Sequence, residues 1–162
     1  MNDQSYTTSI TVDRPAREVF DAINDVSSWW NEDLTGETNR VGAEFVHEVA
    51  GIHRARMQVT ELVPGRTVVW RVLENWMSFI DDQREWVGTE IRFDLTDTDG
   101  GTEIRFTHVG LVPNYECFDV CDVAWSFYIQ QSLRSHITDG TGQPNASPGE
   151  RNHREEAAVS LA

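Results

Sequence analysis

Apolar and polar residues alternate one by one along six stretches of this chain and change to a helical period at two places. From Ser5 to Val12, Tyr6, Thr8, Ile10 and Val12 share one side, which is the two-residue period of a strand. Pro15 then suits a first helical turn, and the Val19, Phe20 and Ile23 stripe predicts a helix over about 15–23. Asn24 and Asp25 are capping residues for a second short helix through Ser27 and Ser28 into Trp29 and Trp30. Adjacent tryptophans cannot share one inward direction, so one is expected in the core and the other at a rim or cavity wall.

A polar loop over 31–42 separates this part from a run of strands. Ala43, Phe45, His47 and Val49 alternate against Glu44, Val46 and Glu48, and Ala55, Met57 and Val59 alternate against Arg54, Arg56 and Gln58. Ala50 and Gly51 fit the turn between them. Pro64 and Gly65 occupy the two central positions of a type II turn, so Thr67 to Leu73 returns antiparallel, with Val68, Trp70 and Val72 inward. Residues 74–86, ENWMSFIDDQREW, obey neither period and are read as a long connection folded over the sheet. Alternation resumes from Val87 to Thr96, turns through Asp97 to Gly101, and continues from Thr102 to Val109.

Tyr115 to Ile137 is the one segment long enough for a substantial helix. Phe118, Cys121, Trp125, Tyr128, Ile129, Ser132 and Leu133 fall on one broad face, while Val120, Val123, Ala124 and Phe127 gather opposite. Such a helix needs cover on two sides, and the 76–86 segment or a second subunit is the candidate for the second. Beyond it, residues 140–162 are rich in Gly, Pro and charge and are expected to form a flexible tail after a single domain over 1–139.

Composition narrows the partners. The 162 residues carry a formal charge of −14, which repels a phosphate backbone or an anionic membrane, so neither nucleic acid nor lipid surface is expected. The N-terminus has neither the basic start nor the apolar stretch of a signal peptide, and a cytoplasmic location is expected. Cys117 and Cys121, four apart on a helix, suit a disulfide badly and are read as reduced core thiols. No metal-ligand spacing stands nearby, and neither a metal nor a cofactor is expected.

One strand, two short helices, five further strands and a long helix make an α+β architecture. A curved, antiparallel six-stranded sheet is expected to wrap around the C-terminal helix and enclose a pocket. The VDRPAREVFDAI segment, the Trp29–Trp30 pair, VTELVPGRTVVWRV at 59–72, GTEIRFTHVGL at 101–111 and the tryptophan-bearing final helix resemble the START-like (SRPBCC) helix-grip superfamily. Within it, the chain is similar to bacterial relatives of the activator of heat-shock protein 90 ATPase, over about Thr7 to Gly142. The resemblance implies a helix gripped by a sheet around a largely apolar cavity, and it makes a chaperone a candidate partner.

Alternation directs His47 and His108 inward with Phe45, Met57, Trp70 and Phe93, and the aromatic face of the helix adds Trp125 and Tyr128 to Trp30. These nine residues are the candidate contacts for a small apolar or aromatic ligand. Phosphate-loop, nucleophile-elbow and zinc-protease patterns are missing, and no catalytic residue is assigned. The reading placed first is a non-enzymatic ligand binder, monomeric or homodimeric. Its alternatives are regulation of a chaperone ATPase by contact, and an aromatase- or cyclase-like enzyme using His47 or His108.

Overall fold

A computed structural model describes residues 4–145. Its seven strands are β1 (Tyr6–Val12), β2 (Thr35–Gly36), β3 (Glu44–Val49), β4 (His53–Val63), β5 (Thr67–Met77), β6 (Glu90–Thr98) and β7 (Gly101–Val109). They form one antiparallel sheet in the order β1-β7-β6-β5-β4-β3-β2. Sequential hairpins account for β3 to β7, and α1 (Ala16–Asn24) begins the connection that carries the chain from β1 to the far edge. The α+β helix-grip architecture expected from the sequence is present. The strand count is seven rather than six, because the polar 31–42 loop contributes the two-residue edge strand β2. Two residues give no period to read.

The turn at Val63 to Arg66 closes with an Arg66 N–H to Val63 carbonyl bond of 2.9 Å, and Gly65 takes a φ of 73°, a left-handed value that favours glycine. α1 buries Val19, Phe20 and Ile23 as its stripe requires. The second short helix is only a 3-10 turn, Val26–Ser28, and both tryptophans after it are buried. Trp29 is held in the core by its indole N–H, which donates to the Ile23 carbonyl at 3.0 Å.

β5 runs four residues past its expected end. Met57 pairs with Val72 but Arg56 pairs with Glu74, so Leu73 is an extra residue on β5, a β-bulge. Before the bulge Trp70 and Val72 are buried; after it the phase shifts by one and Met77 is buried while Trp76 is exposed. On the outer face Arg56 bridges Glu44 and Glu74, with Arg54 also near Glu74. These side chains are largely solvated and contribute little stability.

The C-terminal helix has three parts. α2 (Phe118–Phe127) leads into a π-helical segment, Tyr128–Leu133, and ends in α3 (Arg134–Asp139). Bonds along its length tie it to β1: Tyr6 Oη pairs with Ser126 Oγ at 2.8 Å, Gln130 Nε2 donates to Thr8 Oγ1 at 2.7 Å, and Arg134 donates to the Thr11 carbonyl. No helix among the described residues is long and apolar enough to cross a membrane.

Residues 140–145, expected to begin the tail, lie against the domain. The Gln143 N–H donates to Ser132 Oγ at 2.7 Å, and Asn145 exchanges backbone bonds with Trp30 and Glu32. The rest of the expected tail lies outside the described residues.

Candidate functional site

The inner face of the sheet is paved with aromatic rings. Trp30 lies parallel to Trp70 with centroids 5.9 Å apart, while Phe45 and Phe93 meet the Trp70 ring edge-on at 5.0 and 5.1 Å. From the helix, Trp125 packs on Trp30 at 4.9 Å and on Phe106 at 4.7 Å. This packing fills the centre of the sheet, and a space between sheet and helix lies toward one end.

That end is closed by four parts of the chain. The start of β4 and the end of β5, paired there, supply His53 and Met77, residues 78–89 supply Phe79 and Trp86, and α2 supplies Val120, Cys121 and Ala124. Together with Trp30, Trp125 and Tyr128 they enclose a void of about 20 Å³, room for about one water molecule. The walls are almost wholly apolar. Phe79 and Trp86 therefore meet the Val120 side of the helix, so part of the 76–86 segment, one of the two covers expected for that face, lies there, while Val123 stays 47% exposed.

One histidine, His53, is part of these walls, and two more, His47 and His108, stand behind them. His47 accepts a hydrogen bond from Asn31 Nδ2 at 3.0 Å and is stacked under Trp30 at 4.2 Å. The His53 Nε2–H donates to Asn75 Oδ1 at 2.8 Å, and its ring meets Trp86 edge-on at 4.8 Å. His108 accepts from the Trp125 indole N–H on Nδ1 at 3.1 Å, so its own proton sits on Nε2. There it faces Thr89 Oγ1 at 2.8 Å, and the Thr89 hydroxyl donates onward to the Trp86 carbonyl at 2.5 Å. Burial, reinforced by the charge His53 can carry, pushes the His108 pKa down to about 3. His108 is thus a neutral, single-tautomer linker between two cavity walls, and both of its nitrogens are occupied.

Comparison with known proteins agrees with this geometry. Residues 13–137 match the family described as Activator of Hsp90 ATPase homolog 1-like protein. The chain belongs to this family. The similarity read from the sequence motifs is therefore borne out. No curated protein matches the sequence. Among solved structures, the Aha1 dimer from Colwellia psychrerythraea is 24% identical, with a TM-score of 0.69 over 85% of this chain and 98% of that one. CalU16 from Micromonospora echinospora is 18% identical, with a TM-score of 0.61 over 97% of this chain and 84% of that one. Protein MLL2253 from Mesorhizobium loti is 15% identical, with a TM-score of 0.67 over 85% and 98%. At these identities the likeness concerns the fold.

In this Activator of Hsp90 ATPase homolog 1-like domain, the nine candidate contacts divide in two. Trp30, Trp125 and Tyr128 line the void; Phe45, His47, Met57, Trp70, Phe93 and His108 are buried behind it. His53, Met77, Phe79, Trp86, Val120, Cys121 and Ala124 are the lining residues that alternation and helical period did not single out as contacts. Both cysteines are buried thiols, and no group of three or more metal-ligating side chains gathers among the described residues.

The 78–89 segment is fastened to α2 by reciprocal carboxylates. Cys117, at the start of α2, offers no side-chain cap; instead the buried Glu85 accepts from the Glu116 and Cys117 N–H groups at 2.7 and 3.2 Å. In return Glu116 Oε1 accepts from the Asp81 and Asp82 N–H groups at 3.1 and 2.9 Å. Glu85→Ala leaves two N–H groups at a helix start without their carboxylate, and a loss of about 2–3 kcal/mol is expected in urea unfolding. Amide exchange over 78–89 is expected to accelerate at the same time. Unchanged exchange there would show that the clasp does not hold the segment.

Proposed function

We propose that this domain binds a small, mostly apolar ligand between α2 and the concave face of the sheet, without catalysing a reaction. The observation that carries the reading is the void walled by Trp30, Phe79, Trp86, Trp125 and Tyr128 and closed by a loop rather than by the sheet. A space of about 20 Å³ admits water only, so a ligand enters by displacing side chains of 78–89, with Phe79 at the half-buried rim. The proton-transfer alternative is disfavoured by His108, whose two nitrogens are engaged by Trp125 and Thr89. Regulation of a chaperone ATPase is supported by the family description alone. The buried thiols are in keeping with a cytoplasmic site of action.

Native mass spectrometry of freshly purified protein, followed by titration with apolar and aromatic compounds, tests the proposal. A ligand present at a hundred times its Kd stabilises the fold by about 3 kcal/mol, which raises Tm by several degrees. Tryptophan emission is expected to change with it, because three of the six tryptophans line the void. Constant Tm and constant emission across saturating ligands would end this reading.

A further inference from the structure

One residue of the cavity wall, Trp86, carries a buried donor that the fold leaves unsatisfied. Trp86 is 2% exposed, and its indole N–H finds no hydrogen-bond partner. Its neighbours fix the ring: His53 and His108 stand perpendicular to it at 87° and 81°, and Trp125 lies nearly parallel at 11° with centroids 6.1 Å apart. The Trp86 carbonyl is also tied, by the Thr89 hydroxyl. A buried donor without an acceptor is costly, and a donor already locked in place gains the more when an acceptor arrives.

We infer that the ligand of this cavity is a neutral aromatic molecule bearing one carbonyl-type oxygen, which accepts a hydrogen bond from the Trp86 indole N–H. The inference rests on the binding role proposed above. The aromatic part follows from the Trp30, Phe79, Trp125 and Tyr128 walls, which pair with ring faces and edges. Neutrality follows from the lining, where His53 is the only nitrogen base and no Lys or Arg stands ready to pair with a carboxylate. The net charge of −14 disfavours an anion further. A single oxygen acceptor satisfies the donor without placing a second polar group against Met77, Val120 or Ala124.

Acetophenone and cumene, which are close in size and differ in that cumene carries a CH–CH3 unit where acetophenone carries its C=O, test this directly. Each is titrated into the full chain and into Trp86→Phe, which keeps an aromatic ring and removes the donor. Trp86→Phe reshapes the wall for both compounds, so the ratio of acetophenone to cumene affinity is read: it is expected to fall about five- to tenfold in the variant relative to the parent chain. In the parent chain acetophenone, but not cumene, is expected to move the Trp86 indole proton resonance downfield. That resonance keeps the question decidable even if the variant fails to fold. If both compounds bind and Trp86→Phe affects them equally, or the resonance responds alike to both, the donor role is overturned while the binding role stands. If neither compound binds the parent chain, the binding role and this inference fall together.

Discussion

Between pH 6.5 and about 3, His108 alone is expected to weaken the folding equilibrium about tenfold for each pH unit of acidification. The sign follows from where the proton can go. An unfolded chain protonates this imidazole near its ordinary value of 6.5, whereas the folded protein resists until about 3. Across that window the unfolded state holds the extra proton, so stability falls as pH falls. Above 6.5 the contribution is complete and flat, and below about 3 it is fully lost. Protonation would also place a hydrogen on Nδ1, against the Trp125 indole N–H that donates there. Among the described residues no carboxylate is hydrogen-bonded to His108 to favour the charged form; its polar partners there are Thr89 and Trp125, and its ring faces Trp86. Urea midpoints measured across this range for the parent chain and His108→Gln check the expectation. Carboxylates titrate in both proteins and cancel in the difference. The parent should show the steeper acid loss, by one proton, and parallel curves would refute a buried neutral His108.

How much of this was legible in the sequence varied with whether one period ran unbroken. β7 and the core of β3 could be read because Ile104, Phe106 and His108, or Phe45, His47 and Val49, alternate without interruption and are all buried. β5 could be read only to Leu73, because the bulge there moves the inward set from Trp70 and Val72 to Met77. That single inserted residue hid Met77 and, with it, the end of the sheet where the cavity lies. Trp86 and Phe79 belong to a segment with no repeating geometry, held by Gln83, whose side-chain amide bonds to the backbone of Met77 and Ile80. Glu85 was equally hidden, since a carboxylate in a polar stretch reads as solvated until α2 is seen to present its N–H groups to it. Helical period did identify Trp125 and Tyr128, because one face of α2 and of the π segment meets the sheet. The resemblance to a known family supplied the topology; the site depends on where one loop crosses one helix.

Trp30→Ala is expected to cost about 3–5 kcal/mol, the largest single-residue loss among the cavity walls. Trp30 is 1% exposed and shares its surface with His47 at 4.2 Å, Trp125 at 4.9 Å, Trp70 at 5.9 Å and Trp29 at 6.3 Å. These neighbours come from β3, β5, α2 and the turn before Trp30 itself, so no one element can move to fill the gap. A domain of this size has roughly 5–15 kcal/mol in reserve, so the variant should fold while melting about 10 °C lower or more. The hole joins the existing void beside Trp125 and Tyr128, and its walls are aromatic and apolar. Such a space stays dry and accepts an apolar guest. Added indole is therefore expected to raise the melting temperature of Trp30→Ala by more than it raises that of the parent chain. Trp76→Ala serves as the contrast, since that ring is 45% exposed on the outer face and its loss should change stability by about 0.5 kcal/mol or less. A Trp30→Ala loss below about 1 kcal/mol, with no response to indole, would mean that the loop over 78–89 collapses into the space. The wall would then be compliant, and the ligand would be shaping the cavity rather than finding it.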